Sequence, residues 1–492
     1  MHQSIAKNTA YLTISYTGQK ILAFVYFMFI ARILNVDGVG AYFLSLSIPT
    51  VFSVFADFGL QPVIVREIAR ERFDVPKLIR SSIGLKLFFI LASGIASIGT
   101  SLALGYDKQI INLVSLATIV MALDSIHLTI YGVLRGQQLL KYESAGIFIG
   151  MILTVVFGSI SLIVNPSISM LMIALMIGSL WNVVWSIICA KKIISLSFFI
   201  PRFDVSIAKK LLKTALPFAL AGAFVKGYSY IDTILISLIL GGSSVGIYAI
   251  PYKITYAFQF IPMAFIAALY PGMSALVEQS SDKLKEVFSD SMWYMAVLAF
   301  PISFGIWAIA PEIVTMLAGP NFYESVAPLK ILIFATIFLF LDFPIGSILN
   351  AADKQGTKTA IMGFTMLINV AANALLIPKL NVIGACVSAI ISFIVLFVLG
   401  MHFARRTTNY SFMDLLRMII PVAFSSAIMA GVVLLLKQYM NIAVVILIGS
   451  VLYIIFLKIS GSLQAKHIKH ISDVIRRYSN KNRYEEDINS NN

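Results

Sequence analysis

Charge is the scarcest commodity in this sequence. Asp, Glu, Lys and Arg make up 12% of its 492 residues, about half of the roughly 25% usual for a soluble domain. So few charges cannot cover a water-facing surface. The hydrophobic residues in their place, 59% of the chain with a mean hydropathy of +0.90, call for lipid as the solvent. Cysteine is nearly absent too. Cys189 and Cys386 both lie in apolar stretches, so they supply neither a disulfide framework nor a metal site and leave the redox compartment open. The histidines, His2, His127, His402, His467 and His470, form no ligand cluster. The chain has no P-loop, no His-Glu-x-x-His, no Asp-x-Asp pair in a loop and no long polar stretch to house a catalytic domain. Neither an enzyme nor a resident metal or cofactor is therefore expected. The short polar stretch from Met1 to Ala10 lacks a small-residue cleavage site, so the first apolar segment is expected to be retained rather than removed as a signal peptide.

What the chain has in abundance is long apolar runs. A spanning helix needs about 20 such residues, and that ruler finds about fourteen segments. The first six are Tyr11–Leu34, Val39–Leu60, Ser82–Leu104, Ile110–Leu134, Ser144–Val164 and Ile168–Ala190. The next six are Ala215–Leu240, Gly246–Pro271, Trp293–Leu317, Ala327–Leu349, Thr359–Ile377 and Ile383–Phe403, followed by Met418–Leu436 and Ile442–Leu457. Barrel strands would be shorter and would alternate with polar residues. Loops on one side carry Arg66, Arg70, Arg135, Lys141, Lys191, Lys192, Lys209, Lys210, Lys283, Lys354, Lys358, Arg405 and Arg406, whereas those on the other carry Lys108, Lys379 and Lys437. Basic loops stay inside, so both termini are expected in the cytoplasm and the net charge of +14 reads as topology, not nucleic-acid binding.

The chain also repeats itself. Ile33-Leu34-Asn35-Val36-Asp37-Gly38-Val39-Gly40-Ala41-Tyr42 aligns without gaps on Ile239-Leu240-Gly241-Gly242-Ser243-Ser244-Val245-Gly246-Ile247-Tyr248, a shift of 206 positions. Leu123-Asp124 and Leu341-Asp342 form a weaker echo. Each half has an even number of spans, so the two run in parallel, an arrangement in which substrate binds between the halves and rocking gives alternating access. The expected organisation is a six-helix bundle over 1–190, a linker with an amphipathic surface helix over 191–214, a second bundle over 215–403, a helix pair over 404–459 and a basic tail over 460–492. In the tail, Ile468, Ile471, Ile475 and Tyr478 share a face near Lys466, Lys469, Arg476 and Arg477, a pattern suited to anionic lipid.

Ionisable residues at membrane depth are costly and mark cavities or partners. Lys20 and Lys226 stand at equivalent positions of the repeat, roughly 15 Å from the basic side at about 1.5 Å per residue, too deep to snorkel. Two such lysines across a cleft suit an anion such as a diphosphate, unless Asp57, Asp124, Asp232 or Asp342 neutralises them. Lys253 is a further cleft candidate. Arg32 reads as an outer-end snorkelling residue, Lys86 as an interfacial anchor and Asp57 as a partner of the basic loop that follows it. Asp124 and His127, three apart on one helix, are candidates for ion coupling or for a local hydrogen bond. Prolines interrupt several spans (Pro49, Pro217, Pro251, Pro262, Pro301 and Pro344), and with Pro271 three of them mark the eighth segment as a bend.

The progression Ala31-Arg32-Ile33-Leu34, Val39-Gly40-Ala41-Tyr42, Ala56-Asp57-Phe58-Gly59-Leu60 and Val65-Arg66-Glu67-Ile68-Ala69-Arg70 resembles the opening of Wzx-type polysaccharide biosynthesis flippases. These share a superfamily with the multidrug and toxin extrusion (MATE) transporters. Asp37-Gly38 in place of the usual Gly-Pro-Glu-type turn is a mild departure. The resemblance implies an all-α polytopic, MATE-like membrane protein of about fourteen helices, two parallel six-helix repeats plus a C-terminal pair, in the cytoplasmic membrane. It also implies a flippase moving polyprenyl-diphosphate-linked oligosaccharide units to the outer leaflet for O-antigen, capsule or exopolysaccharide assembly, alongside other assembly proteins. The family's cationic cavity is matched by Lys20 and Lys226, with Lys253 and Arg32 as additions. Asp124, His127, Asp232 and Asp342 are left as ion-coupling candidates. The same features admit a cation-coupled multidrug exporter, a flippase of the peptidoglycan lipid precursor, or a non-transporting scaffold of a glycan-assembly complex.

Overall fold

The apolar segments fold as helices. The computed structural model describes residues 5–70, 75–201, 204–277 and 281–463, and among the described residues there is no strand. The first half comprises α1 (Ile5–Ile33), α2 (Val36–Asp57), α3 (Leu60–Ala69), α4 (Val75–Ala103), α5 (Lys108–Gly136), α6 (Leu140–Val164) and α7 (Ile168–Ala190). The second half comprises α8 (Val205–Leu240), α9 (Gly242–Ala257), α10 (Phe260–Leu276), α11 (Ser281–Ala308), α12 (Ala310–Leu317), α13 (Val326–Leu332), α14 (Ala335–Ala351), α15 (Gln355–Leu380) and α16 (Val382–Thr408). A pair, α17 (Phe412–Leu436) and α18 (Ile442–Ile459), follows and packs on α11. Among the described residues, 12 helical stretches are long and apolar enough to cross a membrane, and the pair Pro320–Leu332 with Ala335–Ala351, bent by 45°, makes up to 13. The chain is an all-α, multi-pass membrane protein.

Proline and glycine explain where single expected spans become two helices. The eighth segment divides into α9 and α10 at Phe258 and Gln259. Pro262 lacks the N–H that would reach back to the Phe258 carbonyl, and its ring crowds that carbonyl. The ninth segment breaks at Ile309, with Pro311 in the first turn of α12. At the bend between α13 and α14 the Ile333 carbonyl accepts from the Thr336 amide and also from the Ser303 hydroxyl of α11, each at 3.1 Å. Between α2 and α3 the chain passes through positive φ at Phe58 (46°) and Gly59 (66°). A Cβ on Gly59 would lie 2.6 Å from the Ala215 carbonyl oxygen, so the Asp-Phe-Gly-Leu motif is a break built for close contact with α8.

The linker differs from expectation. Its amphipathic stretch is not a separate surface helix but the opening turns of α8, which runs 36 residues to Leu240. Asp204 caps it, accepting from the Ser206 and Ile207 amides at 2.9 and 3.2 Å. Those bonds, with the Ser206 hydroxyl first, hold the exposed Asp204 carboxyl below the usual carboxylate range. The apolar face of this segment, Ala208, Leu211 and Ala215, packs against Leu60, Val63 and Ile64 of α3 and Leu78 and Ile79 of α4. Protein, not lipid headgroups, covers it. The tail, where a second surface helix was expected, lies outside the described residues from 464 onward.

The repeat is also a contact in space. A Cβ on Gly40 of α2 would sit 2.2 Å from the Gly242 oxygen of α9, and one on Gly246 of α9 would sit 2.1 Å from the Val36 oxygen of α2. Gly40 is equivalent to Gly246, and Val36 to Gly242, so the contact is reciprocal in the manner of an isologous interface. Asp37 and Ser243, 206 positions apart, are hydrogen-bonded across it. Nearby, Arg32 donates to the Leu317 oxygen at 3.1 Å and to the Met316 oxygen, and the Tyr106 and Ser237 hydroxyls meet at 2.5 Å. Together these contacts close the face opposite the basic loops.

On the basic face, Glu143 at the start of α6 is fully buried and accepts from Arg135 Nε of α5 at 3.1 Å and from the Tyr16 hydroxyl of α1 at 2.9 Å. Lys86 of α4, an interfacial anchor in the sequence reading, is instead 2% exposed and donates to Asp57 of α2.

Two predictions follow from this packing. Replacing Gly40 or Gly246 by Val forces α2 and α9 apart and lowers stability by about 1–3 kcal/mol, as overpacking does, read as a lower melting midpoint. The same substitutions reduce oxidative cross-linking of an Asp37→Cys/Ser243→Cys pair. The Asp57–Lys86 pair is asymmetric, with side-chain exposures of 28% and 3%. Asp57→Leu leaves the lysine buried and unpaired, costing about 3–5 kcal/mol, whereas Lys86→Met costs less because Asp57 reaches solvent. Equal losses in thermal unfolding would refute the asymmetry.

Candidate functional site

α2 and α9 touch backbone to backbone near their first turns, and α8 meets the α2–α3 break at Gly59. Beside these contacts lie two cavities, one between the halves and one almost wholly within the second half. The smaller, about 620 Å³, is walled by Thr50, Ser53 and Asp57 of α2 and Asp124 of α5 on one side, and by Gly222, Lys226 and Tyr230 of α8 with Lys253 of α9 on the other. The larger, about 1170 Å³, lies among α8, α14 and α15, with Tyr228, Tyr256, Asp342, Lys358 and Phe393 in its wall and Arg66 contributed by the first half. Phe218 borders both.

Each of the four acids named in the sequence analysis has a partner that is not one of the candidate lysines, and of the four only Asp232 is fully buried. Asp57 binds Lys86. Asp124 accepts from Ser179 Oγ at 2.6 Å and lies 3.1 Å from His127 Nε2. Asp232, 1% exposed, accepts from the Tyr248 hydroxyl at 3.0 Å and from Asn373 Nδ2 at 2.7 Å, tying α8 to α9 and α15. Asp342 accepts from Lys358 Nζ at 2.6 and 2.7 Å.

The lysines are left over. Lys226 Nζ stands 5.5 Å from the Tyr230 ring centroid, and Lys253 Nζ stands 5.0 and 5.4 Å from those of Phe27 and Phe43. Lys20 Nζ lies 3.4 Å from Met263 Sδ. Among the described residues none of the three forms an ion pair. Aromatic faces hold a cation by only about 0.5–2 kcal/mol, far less than an ion loses on leaving water. The smaller cavity thus holds two lysines without a carboxylate partner beside Asp57 and Asp124, which bind other residues.

The structure brings together Lys226, Lys253 and Asp124 of the sequence candidates, in the smaller cavity. Lys20, Arg32 and Asp232 line neither cavity. Lys20 lies against α10, not across the cleft from Lys226. The repeat shows why the two sides differ. Position 57 is Asp in the first half, and its equivalent, 263, is Met in the second. Lys226 shares its cavity with the acid, whereas Lys20 meets the thioether. Arg32 is not free at a membrane surface but ends on the carbonyls of the last turn of α12, where a cation complements the helix dipole. Sequence reasoning missed Lys358, grouped with the loop cations, and the aromatic wall. Lys358 is 6% exposed, and its burial depends on α14 folding back beside α15. Among the described residues no group of three or more His, Cys, Asp or Glu is placed to hold a metal ion.

Known proteins share this architecture. A family profile described as "MatE" matches residues 217–375. The chain is 26% identical over 430 residues to the "Probable low-salt glycan biosynthesis flippase Agl15" of Haloferax volcanii, spanning 86% of this chain and 87% of that one. Among solved structures, the lipid II flippase MurJ in an inward closed conformation superposes with a TM-score of 0.73 at 17% identity, over 91% of this chain and 98% of that one. An inward-facing MATE-family multidrug resistance transporter superposes with a TM-score of 0.62 at 14% identity, over 80% and 96%. These superpositions show that the fold is that of the superfamily both structures represent. A profile described as "Polysaccharide biosynthesis protein" matches residues 5–277, more than half of the chain, and the chain belongs to that family.

Proposed function

We propose that this chain is a flippase carrying polyprenyl-diphosphate-linked oligosaccharide units across the membrane by alternating access. The observation that carries the reading is the pair Lys226 and Lys253, facing one cavity without an acidic partner. A diphosphate is the compact anion that two lysines in a low-dielectric cleft would hold. The saccharide would travel through the cleft while the polyprenyl tail stays in lipid. The α2–α9 contact is the closed gate, and the basic side is the side from which substrate would enter. The positive-inside rule makes that side the cytoplasm, with both termini there and the protein in the cytoplasmic membrane. The similarity to the probable low-salt glycan biosynthesis flippase of Haloferax volcanii supports a glycan-linked substrate.

The same reading assigns the rest of the chain. Residues 1–190 and 215–403 are the rocking bundles, 191–214 their connection, 404–459 an appended helix pair, and 460–492 a tail that meets anionic lipid and other assembly proteins. Lys20 and Arg32 flank the path. Asp124 with His127, Asp232 and Asp342 are the groups through which an ion would couple to rocking. A second reading, a cation-coupled exporter, draws on Asp57 and Asp124 in the same cavity as the lysines. The two lysines without a carboxylate partner in that cavity weigh against it, because a cationic drug would meet them there. A non-transporting scaffold would need no cavity charge at all.

The test is glycan export in a strain lacking the protein. Wild type restores surface polysaccharide. Lys226→Ala/Lys253→Ala leaves lipid-linked units accumulating inside, with surface glycan reduced at least about ten-fold, the loss expected from removing one charge-assisted contact of roughly 1.5–3 kcal/mol. Lys20→Ala/Lys226→Ala is the companion variant, with a smaller added loss from Lys20. Normal export in the deletion strain, with no redundant flippase present, would overturn the reading and favour the exporter.

A further inference from the structure

The two cavities differ in chemistry, and the difference divides the substrate. The smaller holds the unpaired lysines. In the larger the charged groups are already satisfied: Asp342 and Lys358 bind each other at 2.6 Å, and Arg66 binds its neighbour Glu67 at 2.8 Å. What the larger cavity offers instead is rings and neutral polar groups. Tyr228 and Tyr256 both stand against Phe393, with centroids 6.1 and 6.2 Å away. The amides of Gln259 and Asn350 border the same space, and neither makes a side-chain hydrogen bond among the described residues.

The rings also form a path. Lys226 sits on Tyr230, whose centroid is 6.0 Å from that of Tyr252. Tyr252 packs on Tyr256 at 4.3 Å, and Tyr256 reaches Phe393. An unbroken aromatic ribbon therefore runs from the lysine wall of one cavity into the other. α8 supplies Tyr230, α9 supplies Tyr252 and Tyr256, and α16 supplies Phe393, so the ribbon is assembled only when the second half folds.

We propose that the larger cavity is a saccharide compartment, with Tyr256, Phe393 and Gln259 reading the sugar next to the diphosphate that Lys226 and Lys253 hold. This rests on the flippase reading above. A pyranose presents a face of C–H groups with a ring of hydroxyls at its edge. The C–H face stacks on aromatic rings, and the hydroxyls pair with amides that would otherwise be buried unpaired against the ligand. The alternative occupant, the polyprenyl tail, would strip water from Gln259 and Asn350 and return no hydrogen bond. At about 1170 Å³ the compartment exceeds the roughly 300–1,000 Å³ of a drug-sized pocket, which suits an oligosaccharide.

The experiment measures binding of two probes to the full chain in nanodiscs: undecaprenyl diphosphate, and the same lipid bearing one N-acetylglucosamine. Wild type is expected to bind the sugar-bearing lipid about three- to ten-fold more tightly, the yield of one good aromatic contact. Tyr256→Ala abolishes that difference and leaves the bare lipid unchanged, whereas Tyr256→Phe keeps it. Lys226→Ala weakens both lipids alike. Should Tyr256→Ala fail to fold, Gln259→Ala, at the break between α9 and α10, reads the same difference. Equal affinities for the two lipids in wild type would overturn the saccharide compartment and leave the diphosphate site standing. Loss of bare-lipid binding in Gln259→Ala would make the larger cavity a tail site instead. Failure of wild type to bind either lipid would sink the flippase reading itself.

Discussion

The close approach of two backbones, α2 and α9, is the constraint on which the rest of this molecule depends. Only hydrogen at the Cα of Gly40 and Gly246 allows each helix to rest on a carbonyl of the other. Because the two glycines are repeat equivalents, the contact is symmetric, and it places the pseudo-two-fold axis between the helices. The smaller cavity lies beside that contact, with α2 and α5 of the first half and α8 and α9 of the second in its wall. The Asp37–Ser243 bond and the Arg32 clasp are local reinforcements of the same closure.

Electrostatics then decides what the cleft can accept. Burial makes an isolated charge expensive, so acids and bases at depth should find each other. They do so selectively. Lys86 takes Asp57, Lys358 takes Asp342, and Asp232 is satisfied by the Tyr248 hydroxyl and the Asn373 amide without any cation. Lys226 and Lys253 are left on aromatic faces. On the proposed reading this imbalance is what would admit a charged headgroup, since a site that neutralised itself would have no reason to bind one. The imbalance is also local. Arg135, Tyr16 and Glu143 at the basic face form a closed set tying α1 to α5 and α6, which serves packing rather than transport.

The spans and the parallel repeat were legible in the amino-acid order because each depends on a local run length or a fixed spacing. The breaks in the eighth and ninth spans were half legible. Pro262 and Pro311 announce them, but whether a proline bends a helix or divides it depends on what takes up the freed carbonyls. The linker was misread for a related reason. An amphipathic stretch carries no label saying whether its apolar face meets headgroups or protein, and here α3 and α4 provide the cover.

Sequence alone determined the solvent, the class of fold and the two-fold repeat, since hydropathy and periodicity act over neighbouring residues. The tertiary structure alone decided which charges cancel. Asp57 and Lys86 are 29 positions apart, Asp342 and Lys358 are 16 apart, and Asp232 and Asn373 are 141 apart. Coulomb attraction and desolvation depend on distance through space, which a one-dimensional order does not contain until the helices are packed. The aromatic ribbon from Tyr230 to Phe393 is a property of the packed bundle for the same reason.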